Sequence, residues 1–322
     1  MFRLKQLIGK SRIRLAALLS FLLFIGCQQR LPDAALWEGT IELAEGKLLP
    51  FRMHLDLTGK HPSGSFLVGN EKTPIPELHR RGDSLLFLFS EYGAAIRAAW
   101  DGKLLQGVYL RFRSDTTALN FRAAAEVSSG QTSHAESSTA PPVGNYQVYL
   151  QKADRIDSAT VASFWTQGDS IFGTFIAPDG DYGLLAGQRF GNSVQLGRFT
   201  GWQAIMLEMN QHFGQWGGKL YSRKDSPQTF ILEPRPSLSR ESLGERKTAM
   251  KNPRSPFVFS GITIQGDTLS HRDPRFAGKA LIVDIMGTWC HNCLDEAPLL
   301  QQIYDELKHD GLEIVGLSFE IK

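Results

Sequence analysis

One pair of cysteines, three residues apart, follows a strongly apolar run, and this junction constrains the fold more than any other feature of the chain. Residues 280–286 read Ala-Leu-Ile-Val-Asp-Ile-Met and predict a buried strand. Residues 289–294 read Trp-Cys-His-Asn-Cys-Leu, after which apolar residues recur with a helical period. A helix N-terminus favours a thiolate, and one helical turn brings the second sulfur within reach of the first. The junction therefore predicts a pair suited to disulfide exchange.

The cysteine count excludes a disulfide-stapled scaffold. The chain has only Cys27, Cys290 and Cys293. A structural zinc site is the alternative for the close pair, but such a site usually takes four ligands in paired spacings. No second pair is recognisable among the histidines. We therefore predict a redox-active disulfide between Cys290 and Cys293, with no metal and no other cofactor.

The N-terminus has the layout of a secretory signal. Residues 1–14 carry five basic side chains and no acid, and residues 15–25 are apolar except for Ser20. The run is shorter than the roughly 20 residues of a membrane span. Residues 24–27, Phe-Ile-Gly-Cys, resemble a bacterial lipobox, although Phe24 replaces the usual aliphatic residue. We predict a signal peptide over 1–26, a lipid on Cys27, and a location in the bacterial cell envelope facing the periplasm. A plain signal peptide and an uncleaved anchor are the alternatives.

Composition indicates an ordinary globular protein. Hydrophobic residues make up 42% and charged residues 21% of the 322 residues. The net charge is only +2, and the signal segment is itself strongly basic. Nucleic acid is therefore not an expected partner.

The chain is predicted to contain two β-rich modules and two linkers. Residues 36–124 and 143–222 alternate in the manner of strands, whereas 125–142 and 223–256 have the composition of linkers. The modules share residues at a constant offset of 109, which predicts a duplication. The matched pairs are Gly59 and Gly168, Gly64 and Gly173, Phe66 and Phe175, Gly82 and Gly191, Ser84 and Ser193, and Ile96 and Ile205.

Residues 257–322 are predicted to be a third, α/β unit. A hairpin of 257–259 and 262–264 precedes the strand 280–286, a helix to about residue 309, and a strand over 312–319. A β-α-β order of this kind implies two parallel strands joined by a right-handed crossover.

The cysteine segment resembles a known family. Residues 287–298, Gly-Thr-Trp-Cys-His-Asn-Cys-Leu-Asp-Glu-Ala-Pro, fit the pattern Trp-Cys-x-x-Cys-x-x-Glu-x-Pro. This pattern is similar to the active site of TlpA-like thiol:disulfide oxidoreductases, extracytoplasmic members of the thioredoxin superfamily that are also grouped with redoxin or AhpC/TSA domains. The specific resemblance covers residues 257–322. The fold expected from it is multidomain: duplicated antiparallel β modules followed by an incomplete α/β thioredoxin-like domain.

The resemblance implies a role for each residue of the motif. Cys290 corresponds to the attacking thiolate and Cys293 to the resolving thiol. Asp284 corresponds to an acid that accepts the proton of the buried cysteine; the alternative is a carboxylate bonded only to backbone or water. Glu296 corresponds to an acidic position near the thiols; the alternative is a solvated carboxylate on the helix surface. The flanking residues that would shape the site are Trp289, His291 and Asn292.

The resemblance also implies elements that the sequence does not contain. A further helix, a cis-proline loop, a hairpin and a last helix would follow the second strand of such a fold, and the sequence stops at Lys322. We therefore expect a truncated domain, with exposed apolar faces and weak activity.

Three functions are compatible with these patterns. The first is an enzyme, a membrane-tethered protein-disulfide reductase. It would act on oxidised extracytoplasmic proteins and receive electrons from a membrane thiol-transfer donor. The second is an envelope lipoprotein that binds a ligand or partner through its β modules, with an inactive redox domain. The third is a peroxidase of the peroxiredoxin class, but neither Cys290 nor Cys293 has the required threonine three residues before it.

Overall fold

The computed structural model describes residues 30–112, 116–125, 140–151, 155–177, 180–222, 227–238, 250, 252, 254–288 and 290–319. Cys27 and the rest of the signal segment, most of the first linker, and the central part of the second linker lie outside these residues. Trp289 and the side chain of His291 lie outside them as well.

The first β module is a sheet of nine antiparallel strands. Their spatial order is β4-β3-β2-β1-β9-β8-β7-β6-β5. The strands are β1 Ala34–Ala44, β2 Lys47–Asp56, β3 Ser63–Val68, β4 Glu71–Pro74, β5 Glu77–Arg81, β6 Ser84–Phe89, β7 Ala94–Trp100, β8 Leu105–Phe112 and β9 Thr116–Ala125. In β2 the residues Leu49, Phe51, Met53 and Leu55 are buried, while alternate residues face outwards. This period of two gives the sheet one apolar face.

The second module is a ten-stranded antiparallel sheet that closes on itself. Strand β10 pairs with both β12 and β19, so the path returns to its start. The strands are β10 Gly144–Gln151, β11 Ile156–Asp157, β12 Val161–Gln167, β13 Ser170–Ala177, β14 Gly180–Asp181, β15 Leu185–Phe190, β16 Ser193–Phe199, β17 Ala204–His212, β18 Gln215–Tyr221 and β19 Gln228–Pro234.

Strand β19 corrects the predicted boundary of this module. The sequence assigned residues 223–256 to a linker, because this segment is charged and contains five prolines. Residues 228–234 are instead a strand with Phe230 and Leu232 buried. The alternation in this strand is only seven residues long and ends at Pro234, so the prolines that follow obscured it.

The strands of the two sheets recur at about the offset found in the sequence. Strand β6 begins at Ser84 and β16 at Ser193, each after a glycine with positive φ, Gly82 and Gly191. The sheets differ in closure. In the second sheet β13 pairs with β15, whereas the corresponding strands of the first sheet, β3 and β5, do not pair with each other. A duplication of the module is consistent with this correspondence and stays a proposal.

The two sheets pack into one unit, which we call the β body (β1 to β19). Phe199, Trp202, Met206 and Tyr221 belong to the second sheet by sequence but lie in the apolar core of the first. Two ion pairs cross the same interface: Lys47 Nζ lies 2.8 Å from Glu208, and Arg198 lies 2.7 Å from Glu71. Burial of aromatic rings across the boundary favours folding of the two sheets as one unit.

The C-terminal unit is small. It contains a hairpin of β20 Ser260–Ile262 and β21 Thr268–Ser270, the parallel pair β22 Ala280–Met286 and β23 Leu312–Ser318, and the helix α1 His291–Leu307. The hairpin differs from the prediction, since residues 257–259 form no strand and the turn spans Thr263–Asp267. The N–H of Thr263 donates to the carbonyl of Asp267, and Gly266 has a φ of 95°.

The β-α-β order of this unit agrees with the sequence pattern. Strand β22 has the predicted bounds, and it pairs in parallel with β23 from Ala280 opposite Leu312 to Met286 opposite Ser318. The strand is less buried than predicted, because only β23 pairs with it among the described residues and none of its side chains is fully buried. Within the part of the chain that the structure describes, no helix has the length and apolar character needed to cross a membrane.

Candidate redox site

The cysteine pair lies where β22 leads into α1. Strand β22 ends at Met286, and Cys290 is the N-cap residue of the helix, with extended backbone angles of φ −89° and ψ 100°. The N–H of Cys290 donates to the carbonyl of Gly287 at 2.9 Å, which forms a tight turn between strand and helix. The local sequence thus fixes Cys290 at the positive end of the helix dipole.

Hydrogen bonds within the first helical turn also fix Cys290. Its Sγ accepts the backbone N–H of Cys293 at 3.3 Å, as a serine or aspartate oxygen does at an N-cap. Its carbonyl accepts the N–H of Leu294 at 3.1 Å. A sulfur that already accepts an N–H is stabilised further when it carries a negative charge, so the geometry favours a thiolate on Cys290 after reduction.

The two sulfurs are joined in a disulfide, with the two Cα atoms 5.3 Å apart. Both cysteines are half-buried, so the bond is neither enclosed in a core nor fully exposed. A partly accessible disulfide at a helix N-terminus can exchange with an external thiol, because the leaving sulfur is stabilised as it departs.

The other predicted site residues flank the cysteines in the chain, and of these Asp284 is less buried than the sequence suggested. Asp284 is half-buried in β22, on the same face as Ile282 and Met286, and it lies opposite Gly316 of β23. Asn292 and Glu296 are exposed on the first two turns of α1. The structure brings these residues to one end of the parallel pair, while their catalytic roles stay a prediction.

Apolar side chains are exposed around this end of the unit. Ile285 of β22 is 64% exposed, Leu299 of α1 is 55% exposed, and Phe319, just after β23, is 68% exposed. Among the described residues, by contrast, the buried apolar cluster of the unit consists of Phe259, Phe276 and Val315, and Leu312 of β23 is buried as well. The C-terminal unit therefore has a small core and exposes apolar side chains on its surface.

One residue at this site, Tyr92, was not predicted from the sequence. It lies in a short 3₁₀ turn, Ser90–Tyr92, of the first β module, and its hydroxyl donates to Oδ1 of Asp295 at 2.6 Å. Burial raises the pKa of Tyr92 strongly, and the hydrogen bond to Asp295 raises it further. The phenol therefore stays protonated as a donor at neutral pH. No local pattern signals a contact between positions 203 residues apart.

A metal centre has no support among the residues that the structure describes, since no three His, Cys, Asp or Glu side chains there lie together in a possible ligand set.

Comparison with known proteins gives short matches to redox proteins. No family model matches the chain. It is 33% identical over 55 residues to the thiol-disulfide oxidoreductase ResA of Bacillus thuringiensis subsp. konkukian, a match that covers 17% of this chain and 31% of that protein. It is 40% identical over 43 residues to the ResA of Oceanobacillus iheyensis (13% and 22%), and 33% identical over 48 residues to that of Geobacillus kaustophilus (15% and 28%).

The chain thus contains a segment similar to proteins named thiol-disulfide oxidoreductases, which supports a thiol-disulfide redox function at a coarse level. The matched segment spans less than a third of the length of these relatives.

Proposed function

We propose that this protein is a membrane-anchored, extracytoplasmic thiol:disulfide oxidoreductase that reduces protein disulfides through Cys290 and Cys293. The observation that carries the proposal is the disulfide at the N-terminus of α1, with Sγ of Cys290 at the N-cap. The similarity to proteins named thiol-disulfide oxidoreductases supports the same chemistry.

The proposed cycle transfers two electrons in two exchange steps. The thiolate of reduced Cys290 attacks one sulfur of a substrate disulfide, forming a mixed disulfide and releasing the other substrate sulfur as a thiolate. Cys293 loses its proton and attacks Cys290, which re-forms the Cys290–Cys293 disulfide and releases the second substrate sulfur as a thiolate that takes up a proton from water. A dithiol donor, in the envelope a membrane thiol-transfer protein, then reduces this disulfide. The half-buried carboxylate of Asp284 is the proposed acceptor of the Cys293 proton.

Residues around the pair have supporting roles in the proposal. Glu296 supplies a carboxylate near the thiols, and Trp289, His291 and Asn292 shape the surface that the substrate meets. Lipid on Cys27 would tether the protein to the membrane, because two acyl chains suffice for stable anchoring. Mass spectrometry of the membrane fraction tests this part of the proposal. Unmodified Cys27, or a mature chain that begins elsewhere, would rule out the anchor.

An insulin reduction assay on residues 28–322 with dithiothreitol as electron donor tests the enzyme proposal. We expect catalysed precipitation of insulin by the wild-type protein and none above background by Cys290→Ser. A Cys293→Ser variant should instead trap the mixed disulfide with the substrate. Equal rates for wild type and Cys290→Ser would refute the proposal.

A second candidate function is ligand binding by the β body. A cleft of about 730 Å³ lies between the two sheets, lined by Arg52 and Arg122 of the first and by Phe172, Phe190 and Gln195 of the second. Clefts of this size that combine aromatic and polar side chains are typical of ligand sites. The two functions differ in whether they require the cysteine thiols. Binding in the cleft should survive Cys290→Ser and should be weakened by Phe190→Asp.

A further inference from the structure

The first β module contacts the helix α1 through a hydrogen bond close to the disulfide. The hydroxyl of Tyr92 donates to Oδ1 of Asp295 at 2.6 Å. This distance is typical of a hydrogen bond from a hydroxyl to a charged carboxylate, which is stronger than one between neutral groups. Asp295 is two residues beyond Cys293 and within the first two turns of α1. The contact therefore acts on the part of the helix that carries the disulfide.

The β body holds Tyr92 in place independently of the helix. The Tyr92 ring stacks on Trp202 with a centroid distance of 4.0 Å and an interplanar angle of 13°. Trp202 is only 7% exposed and packs against Phe89 in the core of the first module. The turn that carries Tyr92 ends at Gly93, whose φ of 58° is in the left-handed region. A tyrosine fixed by stacking loses little further freedom when its hydroxyl binds a partner.

The helix transmits this constraint to the sulfurs. Residues 290 and 295 are five positions apart, which is about 7.5 Å along a helix axis. Between them the N–H of Cys293 bonds to Sγ of Cys290, and the N–H of Leu294 bonds to its carbonyl. Because these bonds make the first turn rigid, fixing Asp295 also fixes the orientation of the disulfide relative to the β body.

We propose that Tyr92 is a positioning residue for the disulfide: by holding Asp295, it docks the first turns of α1 on the first β module and limits the approach of thiols to the two sulfurs. The redox role of the pair itself rests on the function proposed above. The β body thereby regulates the reactivity of the Cys290–Cys293 disulfide.

Reduction of the chain's own disulfide by dithiothreitol tests this positioning role. One dithiothreitol thiolate attacks a sulfur of the pair, and the other protein sulfur leaves as a thiolate. The second dithiothreitol thiol then closes a ring and releases the first sulfur, so that two electrons pass to the protein. We expect Tyr92→Phe and Asp295→Ala each to accelerate this reduction about three- to tenfold in residues 28–322, because loss of the contact frees the helix from the β body. That range corresponds to about 0.7–1.4 kcal/mol.

Three variants distinguish positioning from a general structural effect. Tyr149→Phe is the matched control, since Tyr149 donates to Glu233 at the same distance of 2.6 Å, within the second sheet; it should leave the reduction rate unchanged. Asp295→Asn keeps an acceptor oxygen and should restore a rate near that of the wild type. The double variant Tyr92→Phe/Asp295→Ala should be no faster than either single variant, because both remove the same bond.

Other outcomes would overturn the proposal. A wild-type rate in Tyr92→Phe, or additive effects in the double variant, would show that the contact does not control the disulfide. A lowered unfolding temperature in Tyr92→Phe with an unchanged reduction rate would assign Tyr92 a purely structural role. The dithiothreitol assay uses no protein substrate, so it tests the positioning role separately from the proposed enzyme. A failure to reduce insulin would contradict the enzyme proposal without changing the result for Tyr92.

Discussion

The backbone N–H of Cys293 donates a hydrogen bond to Sγ of Cys290 at 3.3 Å, so the second cysteine of the pair helps to stabilise the first. The bond places Sγ of Cys290 at the N-cap, where the partial positive charge of the helix end is greatest. Cys293 lies one turn into the helix, where that charge is weaker. The two thiols are therefore expected to differ in reactivity once the disulfide is reduced.

We predict that iodoacetamide labels Cys290 before Cys293. The thiolate is the reactive form, and the helix N-terminus favours it on Cys290. Peptide mapping after brief alkylation of the reduced protein at mildly acidic pH measures the order. Labelling of Cys293 at an equal or higher rate would reverse the assigned roles.

We predict that Phe199→Ala destabilises both sheets of the β body together. Phe199 belongs to β16 but is 1% exposed within the first core, 5.1 Å from Phe51 and 4.8 Å from Phe66 between ring centroids. Truncation of a buried phenylalanine typically costs about 3–5 kcal/mol. Urea unfolding followed by fluorescence should show one transition at a lower midpoint.

The matched control for this substitution is Phe190→Ala, because Phe190 is 53% exposed on the neighbouring strand. It should change the free energy of unfolding by less than about 1 kcal/mol. Two separate transitions in Phe199→Ala, with only one of them shifted, would contradict joint folding of the sheets.

We predict that Gly201→Ala is far more destabilising than Gly214→Ala. Both glycines have positive φ, 96° and 82°, so alanine strains the backbone at either position by about 1–2 kcal/mol. At Gly201 an added Cβ would also lie 2.1 Å from the ring of Phe89, whereas nothing lies within 4 Å at Gly214. Overpacking adds about 1–3 kcal/mol. Thermal unfolding of the two variants measures the difference, and equal losses would show that the ring moves aside freely.

We predict a modest loss of stability at alkaline pH from the pair Lys47 and Glu208. The hydrogen bond that the Lys47 ammonium donates to Glu208 raises the pKa of Lys47. A raised folded-state pKa means that the stabilisation is complete below the unfolded value of about 10.4 and is lost as the pH rises through the folded value. Both side chains are about a third exposed, so the pair contributes only about 0.5–1 kcal/mol.

Urea midpoints at pH 8 and pH 11 test this linkage in wild type and in Lys47→Gln. The variant should be less stable at pH 8 and should lose less on going to pH 11. Arg52→Gln is the control, because Arg52 and Glu38 are both more than half exposed. A pH dependence in Lys47→Gln as steep as that of the wild type would assign the alkaline loss to other groups.

We predict weaker hydrogen-exchange protection in residues 257–319 than in the β body. The buried apolar cluster of the described C-terminal residues is small, with Phe259, Phe276 and Val315 at its centre, and Ile285 and Phe319 are exposed. Regions with few buried apolar contacts open at lower free energy than large cores. Exchange followed by mass spectrometry should show β22 and β23 exchanging before β2 and β8. Equal protection in all four strands would refute this.

The sequence alone determined the features that depend on neighbouring residues. Local periodicity predicts the strand β22, the helix α1 and the β-rich character of the modules. It rests on the apolar run that ends at Met286, the apolar spacing after the cysteines and the alternation in β2. The same locality explains why the disulfide was predicted from a spacing of three residues. The seven-residue strand β19 was missed, because its alternation is short and prolines follow it.

Only the tertiary structure decided how these elements meet. Three contacts join residues far apart in the chain. They are the packing of Phe199 in the core of the other sheet, the closure of the second sheet by β10 and β19, and the hydrogen bond from Tyr92 to Asp295. The partial exposure of β22 was likewise invisible in its apolar sequence. The physical reason is that burial and long-range contacts depend on which surfaces cover one another in space, and a one-dimensional pattern of side chains determines only which surfaces need covering.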